Sequence, residues 1–271
     1  MLKILIIGNG KLGFQLARHL SASGNTGKPY PYNATVELWA RNPEKKAAEA
    51  QKYGINLSGD LKKSYQEAAL IILAVSDASI NLVAGQLAEY GETDSKMVFH
   101  CSGTTTIRAI SVYFTYSAIL WPIQTFSADY QAERWQNAPL VSTATNVPAL
   151  KAAELVARLI NGRSPFVLTD QQRQITHLGA VWANNFTNHL LAHLTEISQE
   201  VGIPLALFSP ILAQTLANFS LGQSGSSQTG PASRNDLATI ETHLNLLALH
   251  PESQNLYNVL TQSILKNTKN N

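Results

Sequence analysis

The chain has 271 residues, 45% apolar and 14% charged, with a formal net charge of +2, which describes a folded protein of one large or two ordinary domains. So small a charge offers no footprint for nucleic acid or an anionic membrane, and no apolar run approaches the length of a membrane span. Cys101 is the single cysteine, which rules out an internal disulfide and suits a reducing compartment.

Met1-Leu-Lys-Ile-Leu-Ile-Ile-Gly8 reads as a short strand buried on both faces. It has one lysine and no small-residue cleavage site, so it is not read as a signal peptide, and a cytoplasmic location is expected. The strand runs into Gly8-Asn-Gly10-Lys-Leu-Gly13 and then into Phe14–Leu20, whose apolar spacing is helical. Strand, G-x-G-x-x-G and helix in that order form the phosphate-cradling unit of a dinucleotide-binding fold. Gly8 permits the tight turn, Gly10 opens backbone N–H groups to a pyrophosphate, and Gly13 lets the helix lie close on the sheet. Asn9, Lys11 and Leu12 join the three glycines as cofactor-binding candidates. The plainer reading is a glycine-rich turn that binds nothing.

Residues 23–33, rich in Gly and Pro, are long for an α/β connection and read as a surface insertion. Ala34–Ala40 alternates as a second strand. At its tip an NAD-binding domain usually places an acid for the adenosine ribose, but here stands Arg41-Asn-Pro-Glu-Lys45. A guanidinium there suits a 2′-phosphate, with Asn42 and Lys45 or Lys46 in support, while Glu37 lies too early to be the missing acid. NADP is therefore expected over NAD. The alternative makes Arg41 a solvated charge at a strand end.

A helix from Pro43 to Tyr53, stopped by Gly54, and a short strand near Ile55–Leu57 follow. Leu70–Val75 is the clearest central strand and delivers Val75, Ser76 and Asp77 to the ligand edge. Asp77 serves either the cofactor or the start of a helix from Ala78 to Tyr90. Lys96–His100 is a fifth strand, emptying into Cys101-Ser-Gly-Thr-Thr-Thr106. Ser102 joins the cofactor candidates, and Cys101 reads as a small buried filler.

Further strands are expected at Ser117–Pro122, Ala138–Ser142 and Ser164–Leu168, with a loop from Ile123 to Asn137 and a helix from Pro148 to Asn161. Thr169-Asp-Gln-Gln172 has the form of a capping box, and helical periodicity continues to about Val201 without a proline. Helices follow at Pro204–Leu221, Ser233–Leu249 and Pro251–Lys266, with Leu221–Gly230 as a flexible link and a frayed tail over 267–271. The composition changes at Leu168/Thr169. The expected architecture is α/β: a Rossmann-type doubly wound parallel sheet over 1–168, then an all-helical domain over 169–271.

Four stretches carry a family resemblance: Gly8–Gly13, His100-Cys-Ser-Gly103, His177-Leu-Gly-Ala-Val-Trp-Ala-Asn-Asn185, and Thr229–Asp236 with His243-Leu244. Together they resemble a bacterial branch of Rossmann-like, NADP-dependent oxidoreductases with a C-terminal domain of unknown function. That branch lies within the superfamily of 6-phosphogluconate dehydrogenase, β-hydroxyacid dehydrogenase and pyrroline-5-carboxylate reductase. The resemblance implies hydride transfer with a small carbonyl, imine or hydroxy-acid substrate in a cleft between domains. It also implies that the helical domain supplies the acid or base and much of a homodimer interface.

In the hydroxyacid dehydrogenases the long helix carries a lysine one turn before the asparagine matching Asn185. Here that position is Val181, which transfers no proton. His177, another turn back, is the replacement chosen, with Asn185 as the second catalytic candidate and His243 as the rival to His177. The plainer reading makes His177 a core histidine bonded to backbone. The branch also shows His-Pro where this chain has Trp121-Pro122. Substrate contacts are expected from Gln124, Asn184 and Arg234, the last able to grip a carboxylate or phosphate. Ser233-x-x-Asp236 is also a capping-box pattern, and a fixed Arg234–Asp236 pair is the other structural reading. His189 and His193 have the spacing of a metal pair with Glu196 a turn further on, but without an identified third ligand they read as helix surface, and no metal is expected. The missing lysine keeps a second class open: a non-catalytic, nucleotide-responsive binding protein on the same fold.

Overall fold

The computed structural model describes residues 2–25, 34–126 and 129–268, so most of the expected insertion and the end of the expected tail lie outside the described residues. The chain forms two compact units, Met1–Ala183 and Asn184–Asn271.

The first unit runs β1 (Leu2–Ile7), α1 (Lys11–Asn25), β2 (Ala34–Trp39), a 3-10 turn (Pro43–Lys46), α2 (Ala47–Lys52), β3 (Asn56–Ser58), α3 (Leu61–Glu67) and β4 (Leu70–Leu73). It continues through α4 (Ile80–Ala88), β5 (Met97–His100), α5 (Arg108–Ser111), β6 (Tyr116–Pro122), α6 (Ala132–Asn137), β7 (Leu140–Ala144), α7 (Val147–Asn161), β8 (Phe166–Val167) and α8 (Asp170–Ala180). The strands form a single sheet in the order β3-β2-β1-β4-β5-β6-β7-β8, with β7 antiparallel to β6 and the other neighbours parallel. The order reverses between β1 and β4, the point at which such sheets bind ligands.

The apolar runs of β1 and β4 follow from burial on both faces. Ile4, Ile6 and Ile72 pack with Phe14, Leu16 and Leu20 of α1 and with α7. Leu5, Ile7, Ile71 and Leu73 pack on the other side with Tyr65, Ile80, Ala84 and Leu87. Each such side chain contributes about 1.5–3 kcal/mol on burial.

Three short helices depart from the expectation. The stretch expected as a loop from Ile123 to Asn137 contains α6, because Trp135 turns fully inward and stacks on His19 at 5.5 Å and on Phe126 at 4.3 Å. One large side chain anchors that turn, and six residues are too few for a periodic signal. α3, capped by Asp60 through the Lys63 N–H at 3.0 Å, and α5 escape notice for the same reason.

α8 starts where the capping box of Thr169 and Gln172 puts it, and both reciprocal bonds form. The first unit nevertheless extends past the expected boundary to Ala183, since Arg173 and His177 of α8 pack on the loop after β5. A π-helical turn (Val181–Phe186) leads into α9 (Thr187–Glu200). A 3-10 turn (Leu205–Phe208), α10 (Ser209–Ser220), α11 (Leu237–Leu246) and α12 (Pro251–Thr268) complete the second unit. α11 is shorter than expected. Asp236 itself caps it, accepting the Thr239 N–H at 3.1 Å, while Ser233 donates to the Gly230 carbonyl, so the Ser233 capping box does not form. No helix among the described residues is long and apolar enough to cross a membrane.

Candidate functional site

At the glycine loop the three glycines differ in what demands them. A Cβ on Gly8, whose φ is +117°, would lie 2.4 Å from the Ala74 carbonyl oxygen, and one on Gly13 would lie 1.9 Å from that of Gly8. Neither admits a side chain. A Cβ on Gly10 would meet no protein atom within 4 Å, so the space it leaves is open. α1 opens beside it at Lys11, with the unpaired N–H groups and positive dipole end of a helix start. These features fit a pyrophosphate.

The Gly8 N–H donates to the Trp39 carbonyl at 3.2 Å, which ties the loop to the end of β2 just before Arg41. Arg41 and Asn42 are exposed, and Arg41 makes no hydrogen bond or ion pair among the described residues. Lys46 pairs with Glu49 at 2.5 Å, which leaves Lys45, also exposed, as the neighbouring cation. Glu37 is committed elsewhere, to Lys3 at 2.6 Å and to Ser64. Burial alone would raise its carboxyl, but Lys3 and Ser64 outweigh that and hold it below the usual range. It is not available to a ribose.

Val75, Ser76 and Asp77 follow β4 on the same carboxyl edge of the sheet. Asp77 makes no capping bond to the helix behind it; its carboxylate accepts from Thr104 Oγ1 at 2.7 Å, in the loop after β5. In that loop Ser102 Oγ accepts the N–H groups of Thr104 and Thr105 at 3.1 and 2.9 Å and donates to Thr105 Oγ1 at 3.0 Å. Its hydroxyl therefore holds the loop's shape. His100 is fully buried and its Nδ1 accepts the Ser102 N–H at 3.2 Å. Burial first, and the Arg173 charge second, push its imidazole down to about 4, so it stays neutral. Burial pushes the Cys101 thiol up to about 12, as suits an inert filler.

Over this loop lies His177. A Cβ on Gly103 would come within 2.4 Å of His177 Cδ2 and 2.8 Å of Trp121 Cε2, and the two rings sit 5.4 Å apart at 41°. Among the described residues neither ring nitrogen of His177 has a hydrogen-bond partner, unlike a core histidine tied to backbone. An imidazole so placed is packed by its carbons and open at its nitrogens.

Residues 3–99 match the family model described as NADP oxidoreductase coenzyme F420-dependent, and residues 138–264 match DUF2520, a domain of unknown function. The chain is thus similar to the NADP oxidoreductase model over its first strands and helices and to DUF2520 over its second half. Among solved structures it is similar to a Bacteroides fragilis protein described as an NADP oxidoreductase, at 26% identity over 98% of both chains with a TM-score of 0.79. The fold is shared with a reductive aminase from Aspergillus terreus crystallised with NADPH and ethyl levulinate, at 16% identity over 100% and 94% of the chains and a TM-score of 0.68. It is also shared with a pyrroline-5-carboxylate reductase from Coxiella burnetii, at 15% identity over 98% and 97% and a TM-score of 0.57. No curated protein matches the chain.

The first unit of this oxidoreductase thus gathers Gly8–Gly13, Arg41, Asn42, Val75–Asp77 and Ser102 at strand carboxyl ends, with His177 packed on the last of these loops. Gln124 also belongs to it, exposed, with its own Oε1 taken by the Thr125 N–H at 2.8 Å. Asn184, Asn185, Arg234 and His243 belong to the second unit. Both asparagines are exposed in the π turn. Arg234 is exposed and forms no ion pair with Asp236, whose carboxyl the Thr239 bonds hold low. His243 Nδ1 is bonded to the Tyr257 hydroxyl at 2.8 Å. His189 and His193 face each other, Nε2 to Nε2 at 3.2 Å, with His193 Nδ1 on Ser253. Sequence reasoning missed Gly103 and Arg173: the first was visible only inside the His100–Gly103 motif, and a buried arginine on a polar helix leaves no signal.

Proposed function

We propose that this oxidoreductase uses NADP to interconvert a small imine or carbonyl substrate and the corresponding amine or hydroxy acid, with His177 exchanging the proton. The observation that carries this reading is the His177 ring, set by Gly103 and Trp121 over the loop after β5 with both nitrogens unbonded. The main-chain N–H groups of Gly8–Gly13 hold the pyrophosphate, and Arg41 with Asn42 and Lys45 holds the 2′-phosphate. Val75–Asp77 and the Ser102 loop line the remainder of the cofactor. When bound, the reduced cofactor supplies a hydride to the substrate carbon. His177 gives the matching proton to the nitrogen or oxygen of the reduced double bond and takes one back in the reverse direction. Gln124, Asn184 and Arg234 orient the substrate, and Asn185 completes the catalytic set. The reductive aminase and pyrroline-5-carboxylate reductase among the fold's relatives favour an imine among these substrates.

The functional division we assign is a nucleotide domain over 1–168 and a substrate and dimerisation domain over 169–271. Among the described residues of the second unit only Ala232 and Ile240 are buried apolar residues, whereas Leu207, Ile211, Leu216, Phe219, Leu246 and Leu249 are exposed. A homodimer through these helices would give them a core.

The test is NADPH oxidation against a panel of cyclic imines and keto acids. His177→Ala is expected to lower kcat by about a hundredfold or more while leaving NADPH affinity within about threefold. If no substrate oxidises NADPH, yet NADPH shifts oligomeric state or partner binding, the non-catalytic, nucleotide-responsive reading replaces this one.

A further inference from the structure

Arg173 is the buried residue of α8, and it is a cation with no solvent exposure. Its guanidinium donates to the carbonyl oxygens of Gly103 and Thr105 at 2.8 Å each, lies 3.5 Å from that of Ser102, and pairs with Asp170. The Asp170 carboxylate also accepts the Ile107 N–H at 3.3 Å, and Gln174 Nε2 donates to the Thr104 carbonyl at 3.1 Å. Residues 102–107 are clamped from three positions of one helix. One turn beyond Arg173 on the same face stands His177, whose ring rests on Gly103.

Stability alone does not call for this arrangement. A buried guanidinium carries a large desolvation cost, and an apolar side chain of similar volume is often as stable or more so. Among the described residues Arg173 Nε has no hydrogen-bond partner. What the guanidinium adds is direction: a rigid fork that fixes several acceptors at once. Because each peptide is planar and trans, turning the Gly103 carbonyl toward Arg173 turns the Thr104 N–H away from it, onto Ser102 Oγ.

We propose that Arg173 is the positioning residue of this site. By holding the Gly103 and Thr105 carbonyls it sets the height of the loop beneath the His177 ring, and so the place at which His177 exchanges its proton. The proposal rests on the role given to His177 above. Lysine, a point charge without a fork, does not substitute for it.

The experiment uses the full chain labelled with 13C-histidine, the His177 Hδ2 resonance being identified by its loss in His177→Ala. Trp121 beside the ring gives that resonance a ring-current shift. In Arg173→Lys the resonance is expected to move, kcat to fall about tenfold or more with KM changed less, and NADPH affinity to stay within about threefold. Gln174→Ala and Asp170→Asn, which loosen the clamp from its more exposed positions, are expected to move the same resonance by a smaller amount and decide the matter if Arg173→Lys does not fold. An unmoved resonance with kcat within about twofold overturns the proposal, as does loss of NADPH binding in step with kcat. If the wild-type protein turns over no substrate, the reaction assigned above fails while the resonance still reads the positioning.

Discussion

An alanine at position 103 would put its methyl carbon against two ring systems, His177 and Trp121, neither of which has a flexible tip to yield. Gly103→Ala is therefore expected to cost about 1–3 kcal/mol in chemical denaturation and to displace His177. Gly10→Ala makes the contrasting case. With no protein atom within 4 Å of the new carbon, its unfolding free energy should stay within about 0.5 kcal/mol of wild type, while NADPH affinity should fall about tenfold or more. Equal effects of the two substitutions on stability would contradict the roles assigned. The close approaches at Gly8 and Gly13 were legible because strand, G-x-G-x-x-G and helix in that order demand them, even though Ala74, which both approach, lies far along the chain. Gly103 and Arg173 were not, since the partners lie seventy residues apart and meet only once α8 folds onto the sheet.

At the scale of an element, β5 ends in a histidine that the fold keeps neutral. His100 sits at about 4 in the folded state, through burial and the Arg173 charge, against an ordinary value of 6.5. As pH falls below 6.5 the unfolded chain takes up the proton first. Stability from this group is thus complete above that pH and is lost progressively down to about 4, by roughly 3 kcal/mol. His19, buried and bonded to the Ile160 carbonyl at 2.7 Å, is shifted in the same direction by burial. Thermal melts between pH 7 and 4 should therefore fall more steeply for wild type than for His100→Gln; parallel slopes would contradict this. The long strands and α7 could be read ahead because they are continuous apolar runs or amphipathic stretches bounded by Gly, Asn or Pro. α3, α5 and α6 could not, because packing rather than local pattern holds turns of four to seven residues. Asp77 was open between two roles, and a threonine from the neighbouring loop decided against the cap.

For the whole molecule, the order of elements was legible and the extent of the first unit was not. Thr169 announces the helix, but α8 lends its first turns to the sheet domain through a buried arginine. The apolar residues exposed on α10, on the 3-10 turn before it and on α11 lead to one expectation in solution: sedimentation at micromolar concentration should give a dimer, and Leu207→Lys with Ile211→Lys should weaken it. A wild-type monomer under those conditions would contradict the dimer. The assigned function requires a dinucleotide lying against the loop after β1 with its extra phosphate at Arg41. Isothermal titration of wild type and Arg41→Ser with NADPH and NADH tests that directly. Wild type should bind NADPH about tenfold or more tighter than NADH, and the substitution should erase the difference. No heat with either dinucleotide at millimolar concentration, or an unchanged preference in Arg41→Ser, would contradict it.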